Sequence, residues 1–232
     1  MANPSKYCYD NGVLINKFDI YDLEQLHKVE RGITIYKISE LKYIKEEYLN
    51  GSLLNDSLER KFVIDLFHNF FNVDYYLMIH YILFKDIYSF AGEVRDEAIY
   101  KSNEPYFHSK TPFCYPSLIY TNLDYYLKEM RDNVYKINSR EKLLQYISYY
   151  YGELNMIHPF REGNGRTLRV YMEFLVDYLD FNDLEIRYSL WSDDDREELL
   201  KSTVVSSVTG DTSGIMGCFD KVLVEKEKKK LR

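Results

Sequence analysis

The chain has 232 residues, of which 46% are hydrophobic and 29% charged, a size and composition that suit one folded domain with short extensions. Its formal net charge of -7 argues against a general nucleic-acid-binding protein, because such proteins neutralise phosphates with an excess of Lys and Arg. Three separated cysteines, no long apolar run and no signal-peptide pattern predict a cytoplasmic protein without disulfides, membrane contacts or direct nucleic-acid contacts.

Most of the chain is predicted to be helical. Apolar residues recur at helical spacing over residues 21–49, with a predicted break at Gly32, and residues 58–84 form a long apolar-rich stretch that we expect to be central. Residues 90–116 are the least helical part, because they contain three of the five prolines. Short extended pieces at 92–95 and 98–100, followed by a turn, predict a β-hairpin there.

Further helices are predicted in the second half of the chain. Residues 123–134 carry apolar residues at helical spacing, and Asn138 with Glu141 resembles a capping box that opens the next helix. Ser192 precedes three aspartates, which is typical of a helix start. The charge run at 225–232 predicts a solvated helix end.

The most informative stretch is residues 158–169, with the sequence HPFREGNGRTLR. A helical pattern ends just before it near Met156. The apolar residues that follow form one stripe of a second helix, at Leu168, Met172, Leu175 and Leu179. The stretch is therefore predicted to be a loop that leads into a helix N-terminus.

A loop of this kind suits phosphate binding. Gly163, Asn164 and Gly165 permit close approach of the backbone, and the first amides of a helix favour an anion. Arg166 and Arg169 are three residues apart, so both can reach the same polyphosphate from one helix face. These residues predict a phosphate-binding loop.

Two further residues of the stretch suit catalysis. Glu162 offers the hard oxygen ligand that magnesium takes alongside substrate phosphates. Histidine is the side chain whose ordinary pKa lies closest to neutral pH, so His158 can accept a proton from an attacking hydroxyl. Each residue taken singly has an ordinary structural explanation, such as an i,i+4 pair between Glu162 and Arg166. The ordered set ahead of a helix favours the functional interpretation.

The stretch resembles the signature of the Fic family, H-x-F-x-[D/E]-G-N-G-R-x-x-R, and fills every fixed position. The resemblance extends to residues 7–17, 88–95 and 152–155, and Gly165 differs from the Lys of the related Doc kinases. It implies a mostly α fold, a Fic-type helical bundle with a short β-hairpin flap. A single domain would span residues 1–232 with N- and C-terminal helical extensions, the flap at about 92–108, and the signature loop and helix at 158–180.

The resemblance also implies an activity: a protein adenylyltransferase that moves AMP from ATP onto a Ser, Thr or Tyr hydroxyl of a target protein. His158 would be the general base, and Glu162 would hold Mg²⁺. The residues implied to bind the nucleotide are Gly163, Asn164, Gly165, Arg166 and Arg169. The residues implied to dock the target in the flap, by strand addition, are Ile99, Lys101 and Phe107.

Other functional interpretations of the same residues stay open. The transferred group could be UMP, phosphate or phosphocholine, because the signature specifies phosphate chemistry better than it specifies the base. A catalytically inactive binding module is disfavoured by the complete signature, and a nucleic-acid regulator is disfavoured by the acidic composition.

Partners are also implied by the resemblance. Stand-alone Fic toxins suggest a type II topoisomerase subunit as the target. Many Fic proteins silence themselves with a helix bearing [S/T]-x-x-x-E-[G/N]. The only Ser or Thr four residues before a Glu in this chain is Ser89, before Glu93, and Val94 follows where Gly or Asn is needed. We therefore expect a separate small antitoxin protein to supply the missing glutamate.

Overall fold

The computed structural model describes residues 5–52, 56–103, 105 and 110–227, and these are mostly helical, as predicted. The chain forms two compact units. The first comprises Met1–Glu97 and Pro159–Thr167, and the second comprises Ala98–His158 and Leu168–Arg232. The single-domain organisation expected from the sequence stays a prediction. None of the helices in the described ranges is long and apolar enough to cross a membrane.

The first unit is built on three mutually packed helices: α1 (Leu23–Leu49), α2 (Leu58–His68) and α3 (Val73–Phe84). The side chain of Asn72 caps α3 by accepting a hydrogen bond from the Asp74 N–H. Most of α3 is buried, which agrees with the predicted central position of this stretch. The core residues of this unit include Leu26, Leu41, Phe62, Val63, Leu66, Ile79, Ile82, Leu83 and Phe84.

Helix α1 runs without interruption through Gly32, so the predicted break there is wrong. A glycine inside a helix costs only about 1 kcal/mol relative to alanine. Helix α1 has 27 residues and buries Leu26, Leu41 and Ile44 along one side, so packing offsets that cost.

The predicted hairpin is confirmed in the second unit. Strands β1 (Tyr100–Ser102) and β2 (Lys110–Pro112) pair antiparallel, with Lys101 opposite Thr111. The extended piece predicted at 92–95 is wrong, because these described residues form no strand. Gly92 instead lies in a turn with φ +80°, where an added Cβ would be 2.9 Å from the Cβ of Tyr81.

The α-helices that the described residues contribute to the second unit are α4 (Ile119–Asn133), α5 (Arg140–Ile157), α6 (Asn164–Leu179) from Leu168 onward, α7 (Asp193–Thr209) and α8 (Ser213–Asp220). Helix α5 contacts α4, α7 and α8, so it is the central helix of this unit. The core residues include Leu123, Leu127, Met130, Leu143, Ile147, Leu154, Met172, Leu175, Ile215 and Phe219.

Two predicted helix starts in this unit can be compared with the structure. The helix start predicted at Ser192 is confirmed, and the structure shows a capping box there in which Asp195 is the acidic partner. The cap of α5 is Ser139, whose side chain accepts a hydrogen bond from the Lys142 N–H, so the capping box predicted at Asn138 is one residue early. A serine hydroxyl caps a helix as well as an asparagine does, and spacing alone does not separate two adjacent candidates.

The end of the chain differs from the prediction. Strands β3 (Leu184–Ile186) and β4 (Leu223–Glu225) form an antiparallel pair that the sequence does not signal. Glu225 therefore ends a strand, and the predicted helix end is wrong for the described part of the run at 225–227. Residues 228–232 of that run lie outside the described residues.

Candidate active site

Residues 159–163 of the signature loop lie in the first unit, directly before α6, as the sequence predicts. The Asn164 side chain closes the loop. Its Oδ1 accepts a hydrogen bond from the Phe160 N–H, and its Nδ2 donates to the Phe160 carbonyl, both at 2.8 Å. The Arg95 N–H donates to the Pro159 carbonyl at 2.8 Å. The side chain of Asn164 thus holds the loop in place, and its backbone N–H at the start of α6 is a candidate for phosphate.

Gly163 is the residue of the loop that must be a glycine. Its φ is +81°, and an added Cβ would overlap the ring of Phe84. Its carbonyl accepts the N–H of Thr167 at 3.0 Å and thus continues into the first turn of α6. Gly165 lies in that first turn, where helix amides lack intrahelical acceptors and face outward toward the N-terminus. This arrangement suits an anion.

Glu162 carries the one carboxylate of the loop. Its side chain is 43% exposed, and its Oε1 accepts hydrogen bonds from the Gly163 N–H at 2.8 Å and from Arg166 Nη2 at 3.2 Å. Within the described residues, no group of three or more His, Cys, Asp or Glu side chains could hold a metal by itself. A single half-exposed carboxylate fits Mg²⁺, which takes one or two carboxylates together with substrate phosphates.

A buried histidine supports the loop from α3. His80 is fully buried, its Nε2 lies 2.9 Å from the Glu162 carbonyl, and the Gly92 N–H donates to its Nδ1 at 2.8 Å. Since a carbonyl only accepts, Nε2 carries the proton and the ring is neutral. Burial lowers the pKa of His80 to about 3. The ring also stacks on Phe160 with centroids 3.8 Å apart, so His80 connects the loop to the turn at Gly92.

Arg166 is held by residues of α1 and α3. Its Nη2 lies 2.5 Å from Glu30 Oε1, its Nη1 donates to Thr34 Oγ1 at 3.4 Å, and its Cζ lies 4.7 Å from the centre of the Phe84 ring. Glu30 in turn accepts a short hydrogen bond from the Tyr88 hydroxyl. Burial, with a contribution from the Glu30 carboxylate, raises the pKa of Tyr88.

The second unit contains His158, which ends α5 with a left-handed backbone of φ 48° and ψ 61°. This conformation is uncommon for a residue with a side chain. The His158 N–H donates to the Leu154 carbonyl at 3.3 Å, and Nδ1 lies 3.1 Å from the Asn155 carbonyl. The ring stacks on Phe113 with centroids 3.8 Å apart. Nδ1 must donate to a carbonyl, so Nε2 is the ring nitrogen with the lone pair that can accept a proton.

Arg169, also in the second unit, lies beside the buried Tyr151 and the partly buried Tyr188. The Tyr188 hydroxyl donates to the Arg169 carbonyl at 3.1 Å. Burial raises the pKa of Tyr151, although the neighbouring Arg169 opposes this shift. A neutral tyrosine neighbour does not offset the positive charge of a guanidinium, so this position suits an anion-binding role.

Two of the flap residues fall within the described chain. Ile99 is partly exposed and precedes β1, and its carbonyl accepts the Phe113 N–H at 3.2 Å. Lys101 lies in β1. Phe107 lies outside the described residues.

The predicted site residues therefore divide between the units. Those in the first unit are Glu162, Gly163, Asn164, Gly165 and Arg166, and those in the second are His158, Arg169, Ile99 and Lys101. Two supporting residues were not predicted from the sequence: His80, which binds the loop at Glu162, and Glu30, which binds Arg166. Both are charged or titratable residues within apolar stretches. Burying such a group without a partner would cost free energy, so this position indicates that each has a buried partner.

Comparison with known proteins identifies the family of this segment. Residues 70–176 match the sequence model of the Fic/DOC family. The chain is 28% identical over 203 residues to protein adenylyltransferase VbhT of Bartonella schoenbuchensis, covering 85% of this chain and 34% of VbhT. It is 33% identical over 109 residues to probable protein adenylyltransferase y4lH of Sinorhizobium fredii, covering 46% of this chain and 53% of that protein. The chain thus spans about a third of VbhT and about half of y4lH.

Solved structures show the same fold. BepC from Bartonella tribocorum, crystallised with bound AMPPNP, superposes with a TM-score of 0.71 at 18% identity, covering 95% of this chain and 97% of that one. The N-terminal FIC domain of Bep8 from Bartonella sp. 1-1C superposes with a TM-score of 0.71 at 19% identity, covering 97% and 98%. The predicted Fic-type helical fold is confirmed.

Proposed function

We propose that this chain, which carries a Fic/DOC family domain at residues 70–176, is a protein adenylyltransferase that transfers AMP from ATP to a hydroxyl of a target protein. The relatives named protein adenylyltransferase support this activity, and the AMPPNP bound to BepC supports an adenine nucleotide as donor. The observation that carries the proposal is His158, whose Nδ1 is bound to the Asn155 carbonyl. Its Nε2 is thereby prepared to accept a proton.

In the proposed reaction, Nε2 of His158 takes the proton of a Ser, Thr or Tyr hydroxyl as its oxygen attacks the α-phosphorus of ATP. The bond between the α-phosphorus and the bridging oxygen breaks, and pyrophosphate leaves with its electron pair. The backbone amides of Gly163 to Gly165, where the loop enters α6, and the guanidinium groups of Arg166 and Arg169 would neutralise the phosphate charge. Mg²⁺, held by Glu162 and phosphate oxygens, would supply further neutralisation.

The hairpin is the proposed docking site for the target. Residue Ile99 and strand β1 would add a strand from the target, with Lys101 and Phe107 as further contacts. Replacing Ile99 by Pro removes a backbone donor beside the strand, so target labelling should fall while ATP binding stays unchanged. Unchanged labelling of the target would contradict strand addition.

A finer proposal concerns regulation. The chain lacks a complete [S/T]-x-x-x-E-[G/N] motif, which supports constitutive activity and toxicity restrained by a separate small antitoxin in the cytoplasm. Expression of the wild type alone should stop growth, whereas His158→Ala should be tolerated. If the wild type is silent in vitro and truncation after residue 217 activates it, inhibition is internal and the separate antitoxin is refuted.

The activity is tested by mass spectrometry of lysate proteins after incubation with ATP, Mg²⁺ and either the wild type or His158→Ala. The proposal predicts AMP on hydroxyl side chains only with the wild type, with a type II topoisomerase subunit as the first target to inspect. If the protein instead transfers UMP, phosphate or phosphocholine from the matching donor, then ATP is not the donor of the transferred AMP and the proposed activity is replaced by that one. A folded, nucleotide-binding protein that modifies nothing would be a binding module.

A further inference from the structure

Glu30 is an acidic residue on the buried side of α1. It follows Leu26 and precedes Thr34 at i,i+4 spacing, and all three residues are buried. The Glu30 side chain is only 7% exposed, yet it lies 2.5 Å from Arg166 and accepts the Tyr88 hydroxyl. A carboxylate is buried at such a position only with partners that compensate its lost hydration. Arg166 is its charged partner.

The Arg166 guanidinium is shared between two carboxylates. The same nitrogen, Nη2, lies 2.5 Å from Glu30 Oε1 and 3.2 Å from Glu162 Oε1. Glu162 is 43% exposed, so its attraction to Arg166 is screened by water, whereas the buried Glu30 interacts at lower dielectric. Thr34 and the Phe84 ring contact the same guanidinium. Glu30 is therefore the stronger of the two anchors.

We propose that Glu30 is a positioning residue that anchors Arg166 through Nη2 and so leaves the Glu162 carboxylate available to a divalent metal. The inference rests on the proposed function, in which Glu162 binds Mg²⁺ together with the phosphates of ATP. Without the Glu30 charge, Glu162 is the carboxylate that remains at Nη2 among the described residues, and Arg166 competes with the metal for it. Glu30 thus acts on the metal through Arg166, without touching metal or nucleotide.

Glu30→Gln tests this, because glutamine keeps the shape and can still accept the Tyr88 hydroxyl. ATP affinity is measured by calorimetry over a series of Mg²⁺ concentrations and in EDTA. The Mg²⁺ concentration that gives half of the metal-dependent gain in affinity should rise about tenfold, the lower end of the effect of one charge-assisted hydrogen bond. ATP affinity in EDTA should change less. If Glu30 had a purely structural role, Glu30→Gln would change both the Mg²⁺ dependence and the ATP affinity in EDTA, or neither of them.

Three further variants test whether the change in Mg²⁺ dependence arises from the contact between Glu30 and Arg166. Glu24→Gln removes an exposed carboxylate from the same helix and should leave the Mg²⁺ dependence unchanged. Tyr88→Phe removes the hydroxyl that holds Glu30 and should shift the Mg²⁺ dependence in the same direction by less. In an Arg166→Gln background, Glu30→Gln should cause no further shift, because the two residues act through one contact. Thermal unfolding verifies that each variant is folded.

The outcomes separate the two proposals. If the wild type binds no ATP with or without Mg²⁺, the proposed function fails and this inference fails with it. If the wild type binds Mg-ATP but folded Glu30→Gln keeps the wild-type Mg²⁺ dependence, or needs less Mg²⁺, only the role of Glu30 is refuted. A shift that persists in the Arg166→Gln background also refutes it. Should Arg166→Gln not fold, the Tyr88→Phe result decides.

Discussion

The neutral state of His80 predicts a specific pH dependence of folding stability. The ring is fully buried, donates from Nε2 to the Glu162 carbonyl and accepts the Gly92 N–H at Nδ1. In a protonated ring Nδ1 could no longer accept the Gly92 N–H, and the ring would place a positive charge near Arg166. The acidic residue beside His80 is Glu162, but His80 is hydrogen-bonded to its backbone carbonyl and not to its carboxylate. The folded protein therefore resists protonation of His80.

The magnitude follows from the two pKa values. The folded pKa is about 3, against 6.5 for an unperturbed histidine, so the unfolded chain binds the additional proton as pH falls below 6.5. The contribution of His80 to stability is complete above pH 6.5 and is lost progressively toward pH 3. Between pH 7.5 and 4.5 the loss is about 2.5 kcal/mol, at 1.36 kcal/mol for each unit of pKa difference.

The assay is urea unfolding in EDTA at several pH values between 4.5 and 7.5. His80→Asn keeps an acceptor for Gly92, and His80→Gln keeps a donor for Glu162, but neither side chain titrates. Both should be less stable than the wild type at pH 7.5 by about 1–3 kcal/mol, the cost of an unsatisfied buried group. This difference should shrink by about 2.5 kcal/mol at pH 4.5. The exposed His27→Gln is the matched control. A difference that is constant across the pH range would refute the buried neutral state.

Two further predictions test the geometry of the loop and of the base. Gly163→Ala should destabilise the protein by about 2–4 kcal/mol in urea unfolding, because φ is +81° and the methyl group would overlap Phe84. Gly32→Ala, in an open helical position, should instead stabilise it by up to about 1 kcal/mol, and equal effects of both variants would contradict the packing argument. Phe113→Leu removes the ring stacked on His158 and should slow AMP transfer by up to about tenfold, with unchanged ATP affinity. A full transfer rate in this variant would show that the stack does not orient the base.

Helix periodicity and the signature predicted much of the architecture and the placement of the phosphate loop before α6. The errors have local causes. Gly32 does not interrupt α1, because packing of a long helix outweighs one glycine. Strands β3 and β4 have three residues each, too few for an alternating pattern to be recognised.

The supporting residues of the site were not predictable from spacing. His80 meets Glu162 across 82 positions of sequence, and Tyr88 meets Glu30 across 58. Such contacts depend on how the helices pack, which a periodic pattern within one helix does not encode. A polar residue in an apolar stripe indicates that a partner exists, but its identity comes only from the folded chain.

AMP transfer with His158 as the base can be measured by incubating the purified protein and a lysate with ATP labelled at either the α- or the γ-phosphorus. We expect the α label to enter protein in a Mg²⁺-dependent reaction and the γ label not to enter it. His158→Ala should slow the α transfer by about 10²–10⁴-fold. Transfer of the γ label, or α transfer at the wild-type rate by His158→Ala, would contradict AMP transfer with His158 as the base.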